Sequence, residues 1–292
     1  VHYYPLQDTN LPVAIDLGSL ATTNAAYNGG ITLEPAPGVG PFARYATLDG
    51  QPGTYVAASP FHPETSVTIE VWVWLDPAAA GRLTGSWIDV VSQTGPAWGG
   101  VAYNLGFIPG GRVELAVVND SGADARGTTA GPVPAGAWHH LVGIFDAAAG
   151  TVTVFVDGLQ GSVGALAGLI PSNVPDTVPD WMLIGASRDG SNNSFNFMGH
   201  IAQVAVYDRP LSPVQIRAHY KAATQGAAPS LAIENAVIVS WPSFPAGYVL
   251  QVATNVDGPY TDYVGAIYTA PEGLIAPVPT RSTRQYFRLI KP

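Results

Sequence analysis

Apolar residues in this chain recur in short runs, not at helical intervals. Runs of β-formers broken by Gly, Pro, Asn and Asp predict strands over 2–6, 43–49, 54–58, 66–76, 86–93, 101–108, 112–118, 138–146, 151–157, 181–186 and 200–207. Asp146-Ala-Ala-Ala-Gly150 and Pro109-Gly110-Gly111 fit the short loops of hairpins. One helix is predicted: Ser212 suits the N-cap, Pro213 the first helical position, and Ile216 and Tyr220 share a face. It runs to about 223. The small, flexible segment Thr224-Gln-Gly-Ala-Ala-Pro229 then marks a boundary between a domain over 1–225 and a small module over 226–292. The module has its own β runs at 231–240, 247–253, 259–264 and 284–290. Many short strands joined by such turns predict an all-β sandwich.

Composition narrows the function classes. Of 292 residues only 11% are charged while 47% are hydrophobic, which excludes intrinsic disorder and long-helix proteins. The net charge is −9, Lys221 and Lys291 are the only lysines, and no basic stripe exists, so a nucleic-acid partner is not expected. No apolar run approaches the ~20 residues of a membrane-spanning helix. Cysteine is absent, so there is no disulfide or thiol chemistry to indicate a compartment. The chain begins at Val1, as a processed or trimmed protein would. Charge is uneven: residues 1–225 hold 8 basic and 17 acidic groups, residues 226–292 hold 4 of each. An electrostatic partner would therefore meet the first domain.

Four segments carry a family resemblance. They are Ala46-Thr-Leu-Asp-Gly50 with Tyr55-Val56; Val67-Thr-Ile-Glu-Val-Trp72-Val; Trp138-His-His-Leu-Val142 with Phe145-Asp146 and Val154-Phe-Val-Asp-Gly158; and Gly199-His-Ile-Ala-Gln-Val-Ala-Val-Tyr207-Asp-Arg-Pro-Leu211-Ser with Gln215-Ile216 and His219-Tyr220. In this order, residues 1–225 resemble the laminin-G-like, concanavalin A-like lectin/glucanase superfamily. The resemblance implies a two-sheet jelly-roll sandwich. Residues 230–292, through Val239-Ser-Trp-Pro242, Tyr248-Val-Leu-Gln251, Ala253-Thr-Asn255, Gly258-Pro-Tyr260-Thr and Gln285-Tyr-Phe-Arg-Leu289, resemble a small C-terminal β module of secreted bacterial proteins. That likeness implies an extracellular or cell-surface setting.

Glucanases of this superfamily carry acidic residues alternating on one strand, so that two carboxylates flank a glycosidic bond. Here Glu70 stands alone on its strand face beside Trp72 and Trp74, and Glu114 alone beside Ala116 and Val118. No such pair is expected, nor is catalysis. His139 and His140 point to opposite faces of a strand and cannot chelate one metal together. Calcium is a possible cofactor, because family members hold it through carboxylates and carbonyls. The usual terminal-strand Asp is replaced by Ala202, which leaves Asp120 and Asp124 (with Asn119) and Asp189 and Asn192 (with Asn193) as loop oxygen donors or simple turn-formers.

Sugar binding needs exposed aromatic platforms with a few polar groups. Trp98, in the loop Gly95-Pro-Ala-Trp-Gly-Gly100, with Trp87, Tyr103 and Trp181, are the candidates; Trp72, Trp138 and Trp241 read as structural. Three functions compete: a non-catalytic carbohydrate-binding or adhesion protein with a glycan partner, a self-assembling subunit of a fibre or surface layer whose partners are copies of itself, and, least favoured, a glycan hydrolase or lyase, which lacks its acids. The low charge supports the second. In that case the segment Val1-His-Tyr-Tyr-Pro-Leu6 could complete a neighbour's sheet, although in this family it more often pairs within its own domain. The neutral module, with Arg281, Arg284 and Arg288, would meet a neighbour's acidic domain.

Overall fold

In the computed structural model the chain forms two compact units, Val1–Ala227 and Ala228–Pro292. The structure describes residues 1–20, 23–36, 42–63, 65–95, 101–165, 180–189, 192–224, 236–241, 247–265, 267–270, 273–279 and 284–291.

The strands of the first unit are β1 (His2–Tyr4), β2 (Val13–Ala14), β3 (Ala25–Asn28), β4 (Thr32–Pro35), β5 (Arg44–Asp49) and β6 (Tyr55–Ala58). They continue with β7 (Val67–Leu75), β8 (Ile88–Thr94), β9 (Val101–Ile108), β10 (Arg112–Val118), β11 (Asp124–Thr128) and β12 (Trp138–Asp146). The last are β13 (Thr151–Val156), β14 (Leu159–Ala165), β15 (Met182–Ile184), β16 (Ser187–Asp189), β17 (Asn192–Ser194) and β18 (Met198–Tyr207). The helices are a single turn, α1 (Pro77–Ala80), and α2 (Pro213–Thr224).

One sheet runs β14-β13-β12-β7-β18-β5-β4, with β1 also on β18; the other runs β11-β10-β9-β8-β15-β6-β3-β2. They form the two layers of a jelly-roll sandwich. Its core holds Ile69, Val71 and Val73 of β7 together with Leu105, Phe107, Val113 and Leu115 of the facing sheet. Strand alternation therefore sends Thr68, Glu70, Trp72 and Trp74 to the outer face of the first sheet.

That outer face is partly covered by α2. Ser212 and Gln215 form a capping box: the Gln215 N–H donates to Ser212 Oγ, and the Ser212 N–H donates to Gln215 Oε1 at 3.0 Å. Ile216 then packs on Val142, Ile144, Phe155 and Leu211. Further along, Tyr220 stacks on Trp72, centroids 5.9 Å apart.

β18 changes partner midway. Met198–Ile201 pair with β5, whereas Val204–Val206 pair with β1. Between these stretches its register on β7 slips, and Gln203 adopts φ 55°. A non-glycine residue in this region is uncommon, and here it accompanies a bulge that redirects its side chain. Because β1 lies on β18 of its own chain, the N-terminal segment completes its own sheet.

The second unit has β19 (Ala236–Trp241), β20 (Val249–Ala253), β21 (Thr261–Asp262), β22 (Tyr268–Ala270), β23 (Gly273–Pro279) and β24 (Tyr286–Ile290). They form two three-stranded sheets around Trp241, Leu250, Ala276 and Val278. Arg288 lies over the Tyr260 ring at 4.2 Å and donates to Gln251 Oε1 at 2.9 Å, so it is engaged within the module. Arg281 lies outside the described residues.

Candidate functional site

The outer face of the first sheet carries a cavity of about 540 Å³, between β7, β18, β1, α2 and the segment Leu17–Ser19. Its polar lining comes from Glu70, Tyr207, His219, Tyr3, Gln203 and Ser19, and Trp72 contributes to its wall. The volume falls in the range of small-ligand sites.

Glu70 is buried, and three side chains hold its carboxylate. His140 Nε2 lies 2.8 Å from Oε1, His219 Nδ1 lies 2.9 Å from Oε1, and the Tyr207 hydroxyl donates to Oε2 at 2.9 Å. Burial alone would raise the pKa. The hydrogen bonds and charges of His140 and His219 outweigh it and bring Glu70 down from 4.5 to about 2. His219 moves upward in turn, chiefly through its hydrogen bond to Glu70. Burial and the Glu70 charge push the Tyr207 hydroxyl up, so it keeps its proton. Glu70 is therefore a fixed anion ringed by donors. Nearby, the Tyr3 hydroxyl donates to Gln203 Oε1.

Beyond Trp72 the same face bears an aromatic cluster. Trp138, Trp74 and His200 lie in one register row across β12, β7 and β18. Trp74 and His200 stack at 4.7 Å, and Tyr45 lies 4.5 Å from His200. Burial lowers the His200 pKa.

The aromatic candidates do not converge. Tyr103 is fully buried in the core, with its hydroxyl donating to the Phe61 carbonyl at 2.8 Å. This corrects its assignment as an exposed platform: on β9 its side chain points inward. Trp87 is 41% exposed, edge-on to Phe195. Trp181 is half-buried beside Tyr55. Trp87 precedes the first residue of β8, whereas the Trp181 backbone bonds to Thr94 at the last, a separation of roughly 20 Å at strand rise. Trp98 lies outside the described residues.

The loop oxygens near Asp120 do not fit a calcium site. Asn119 Oδ1 accepts from Ser121 N, Ser121 Oγ and Ala123 N, as a turn-former does, and Asp124 pairs with Arg126 at 2.7 Å. Asp120 is exposed. Ala202, where an acidic ligand would stand, is buried in the aromatic cluster and offers no side-chain oxygen. Asp189 and Asn192 face each other across the β16–β17 hairpin; their side chains lie outside the described residues. Among the described residues no three His, Asp or Glu side chains converge to hold a metal ion. His139 turns to Asp157 at 2.8 Å while His140 turns to Glu70, so the adjacent histidines do part to opposite faces.

A carboxylate pair does exist, across strands instead of along one. Asp89 and Glu114 both register with Gly106, which puts them in one row on the outer face of the second sheet. Gly106 makes this possible, since a Cβ there would come within 2.5 Å of Asp89 Oδ1. Burial raises Asp89 from 3.8 to about 6, with a further push from Glu114. Both residues are buried, Asp89 at 2% exposure, which keeps a sugar chain from reaching between them.

A family model described as the concanavalin A-like lectin/glucanases superfamily matches residues 48–217. The chain belongs to this superfamily. No curated protein sequence matches it significantly. Among solved structures, domain 4 of the extracellular arabinanase AbnA from Geobacillus stearothermophilus, in complex with arabinotriose, is 19% identical with a TM-score of 0.50, covering 74% of this chain and 96% of that one. The ligand-binding domain of botulinum neurotoxin serotype D, in complex with N-acetylneuraminic acid, is 10% identical with a TM-score of 0.55, covering 91% and 68%. Trypanosoma rangeli sialidase with the inhibitor DANA is 14% identical with a TM-score of 0.50, covering 75% of this chain and 32% of that one. At these identities the likeness establishes the fold, which binding domains and glycoside hydrolases share. Among the described residues no helix is long and apolar enough to cross a membrane.

Proposed function

We propose that this superfamily member is a non-catalytic, extracellular glycan-binding protein whose site is the cavity above Glu70. The carrying observation is that cavity's chemistry: one fixed carboxylate, tyrosine hydroxyls, an amide and a tryptophan wall. Sugars are recognised by such a mixture of apolar wall and convergent polar groups. Binding without cleavage follows from the same groups. A general acid must hold a proton near neutral pH, and Glu70, with a pKa of about 2, does not. Among the described residues Glu70 is also the only carboxylate lining the cavity, whereas glycosidases use two. The test is a glycan array followed by calorimetry and reducing-end assays. Saturable binding without turnover supports the proposal; no binding to any glycan, or turnover abolished in Glu70→Gln, refutes it.

Self-association is the second reading. Its support is the exposed apolar stripe Leu11, Val13, Ile15, Leu17 and Leu20 along the sheet edge at β2. Backbone pairing there is blocked, because the Ile15 and Asp16 N–H groups donate to Asp8 and Asn24 side chains. Association would therefore run through side chains. Light scattering over a concentration series tests it, and a monomer at every concentration refutes it.

A further inference from the structure

The cavity has a hydrogen-bond polarity that bears on ligand class. The Tyr207 hydroxyl proton goes to Glu70, and the Tyr3 hydroxyl proton goes to Gln203 Oε1. Both phenol oxygens are left as acceptors. Glu70 is an acceptor only. The bulge that gives Gln203 its φ of 55° puts its side chain into the lining, and since its oxygen is taken, its Nε2 remains as a donor beside the Ser19 hydroxyl. Among the described residues the lining contains no Lys or Arg side chain. Its cations are His219, whose Nδ1 is spent on Glu70, and the exposed Val1 N-terminus, which donates to Ser19 Oγ at 3.3 Å.

We propose that the cavity selects a neutral sugar, one rich in hydroxyl donors, and excludes acidic sugars. This rests on the glycan-binding proposal above. A hydroxyl can donate to Tyr207, Tyr3 and Glu70 and can accept from Gln203. A sugar carboxylate has no proton to give, meets three acceptors, and is brought close to the Glu70 charge with no guanidinium or ammonium side chain to receive it. Leaving such polar groups wrongly paired in a recessed site is heavily penalised. The shared fold does not settle the matter, since one neighbour carries N-acetylneuraminic acid and another arabinotriose.

The experiment titrates the intact chain with neutral arabino-, xylo-, gluco-, galacto- and manno-oligosaccharides in one arm, and with N-acetylneuraminic acid, sialyllactose and oligogalacturonate in the other. Binding confined to neutral sugars is expected. Tyr207→Phe and Gln203→Glu should each weaken it by roughly tenfold, the effect of losing one hydrogen bond in such a site. Near-ultraviolet circular dichroism confirms that each variant is folded, and Tyr3→Phe supplies a third probe of the same polarity should one fail. Preferential binding of acidic sugars overturns this inference and leaves the glycan-binding proposal standing. Neutral-sugar binding that is unchanged in the folded variants removes the site from this cavity. Failure of every glycan to bind overturns the function itself.

Discussion

Replacing Glu70 tests whether the donor ring holds the helix to the sheet. Glu70 sits on β7, His140 on β12, Tyr207 on β18 and His219 on α2, so one carboxylate joins three neighbouring strands and the helix above them. Its pKa falls from 4.5 to about 2 on folding. At about 1.4 kcal/mol per tenfold, this linkage contributes on the order of 3 kcal/mol at neutral pH. Glu70 is 7% exposed, so solvent screening reduces that only modestly. A depressed acid stabilises the fold above its unfolded pKa, and the contribution disappears as pH falls from 4.5 towards 2. His219 has the opposite sign: its raised pKa adds stability below 6.5 that is lost as pH rises through the raised value. Its half-exposed ring makes this the smaller effect. Glu70→Gln should lower the melting temperature of the first unit by about 6–12 °C at pH 7, at 2–4 °C per kcal/mol for a domain of this size. The gap should narrow progressively below pH 4. Differential scanning calorimetry from pH 2 to 8 measures both. Equal melting temperatures at pH 7, or a gap that stays constant down to pH 2, would refute the account.

Three other expectations follow from particular contacts. Asp89→Asn should stabilise the fold at pH 8. The raised pKa of Asp89 means its contribution is favourable below 3.8 and is lost as pH rises through about 6, so a neutral side chain gains up to about 3 kcal/mol above that window and nothing at pH 3. Urea titrations at the two pH values check this, and a pH-independent difference contradicts it. Ser212→Ala removes the capping box of α2 and should cost about 1 kcal/mol, with faster amide exchange in the first helical turn and weaker ligand binding as His219 loosens. Unchanged exchange would show that packing of Ile216 alone fixes the helix start. Chelation with EDTA should shift the melting temperature only slightly, since the Asn119–Asp124 loop spends its oxygens on turn and Arg126 contacts; a large drop reversed by calcium would reveal a tight site elsewhere.

The sandwich was legible because its central strands alternate strongly. The run 67–75 carries apolar residues at every core position and was predicted almost to the residue, as was the helix from its Ser-Pro start. The strands that escaped have weak patterns. β3 (Ala-Ala-Tyr-Asn), β11 (Asp-Ala-Arg-Gly-Thr) and β14, with its two glycines, owe their conformation to neighbours and not to intrinsic preference. β23 contains Pro277 and Pro279, which argue against a strand; among the described residues β22 pairs only with Gly273–Ile275, so neither proline has a ladder partner on that side. The site was only half legible. Glu70, His140, His219 and Tyr207 all stand in the family segments, but they are distant in sequence, and each alone reads as an ordinary side chain. Exposure is not written in sequence, so Tyr103 reads as a platform there although it faces the core. The Asp89–Glu114 pair is invisible to alternation along any one strand, because its row runs across three of them.

These two carboxylate clusters explain why the outer face of the first sheet is the better place for a ligand. Asp89 and Glu70 are both buried acids, yet their pKa values move in opposite directions. Around Asp89, burial outweighs the hydrogen bond from Asn104, and a second carboxylate adds to the cost of charging it. That cluster is least costly when protonated and shielded, a property of a filled interior. Around Glu70, two imidazoles outweigh burial, so the charge is stable beside open space. The Glu70 ring also fixes the direction of every proton it touches, and through Tyr207 and His219 it presents that direction to the cavity. Pre-set polarity of this kind lowers the cost of ordering a site on binding. Removing the negative charge at Glu70 should therefore weaken ligand binding, although its oxygens already accept from His140, His219 and Tyr207. Glu70→Gln frees the Tyr207 proton to turn towards the cavity, converting an acceptor into a donor. If calorimetry finds neutral-sugar affinity unchanged in folded Glu70→Gln, the ring is a structural clamp alone and the cavity's polarity has another origin.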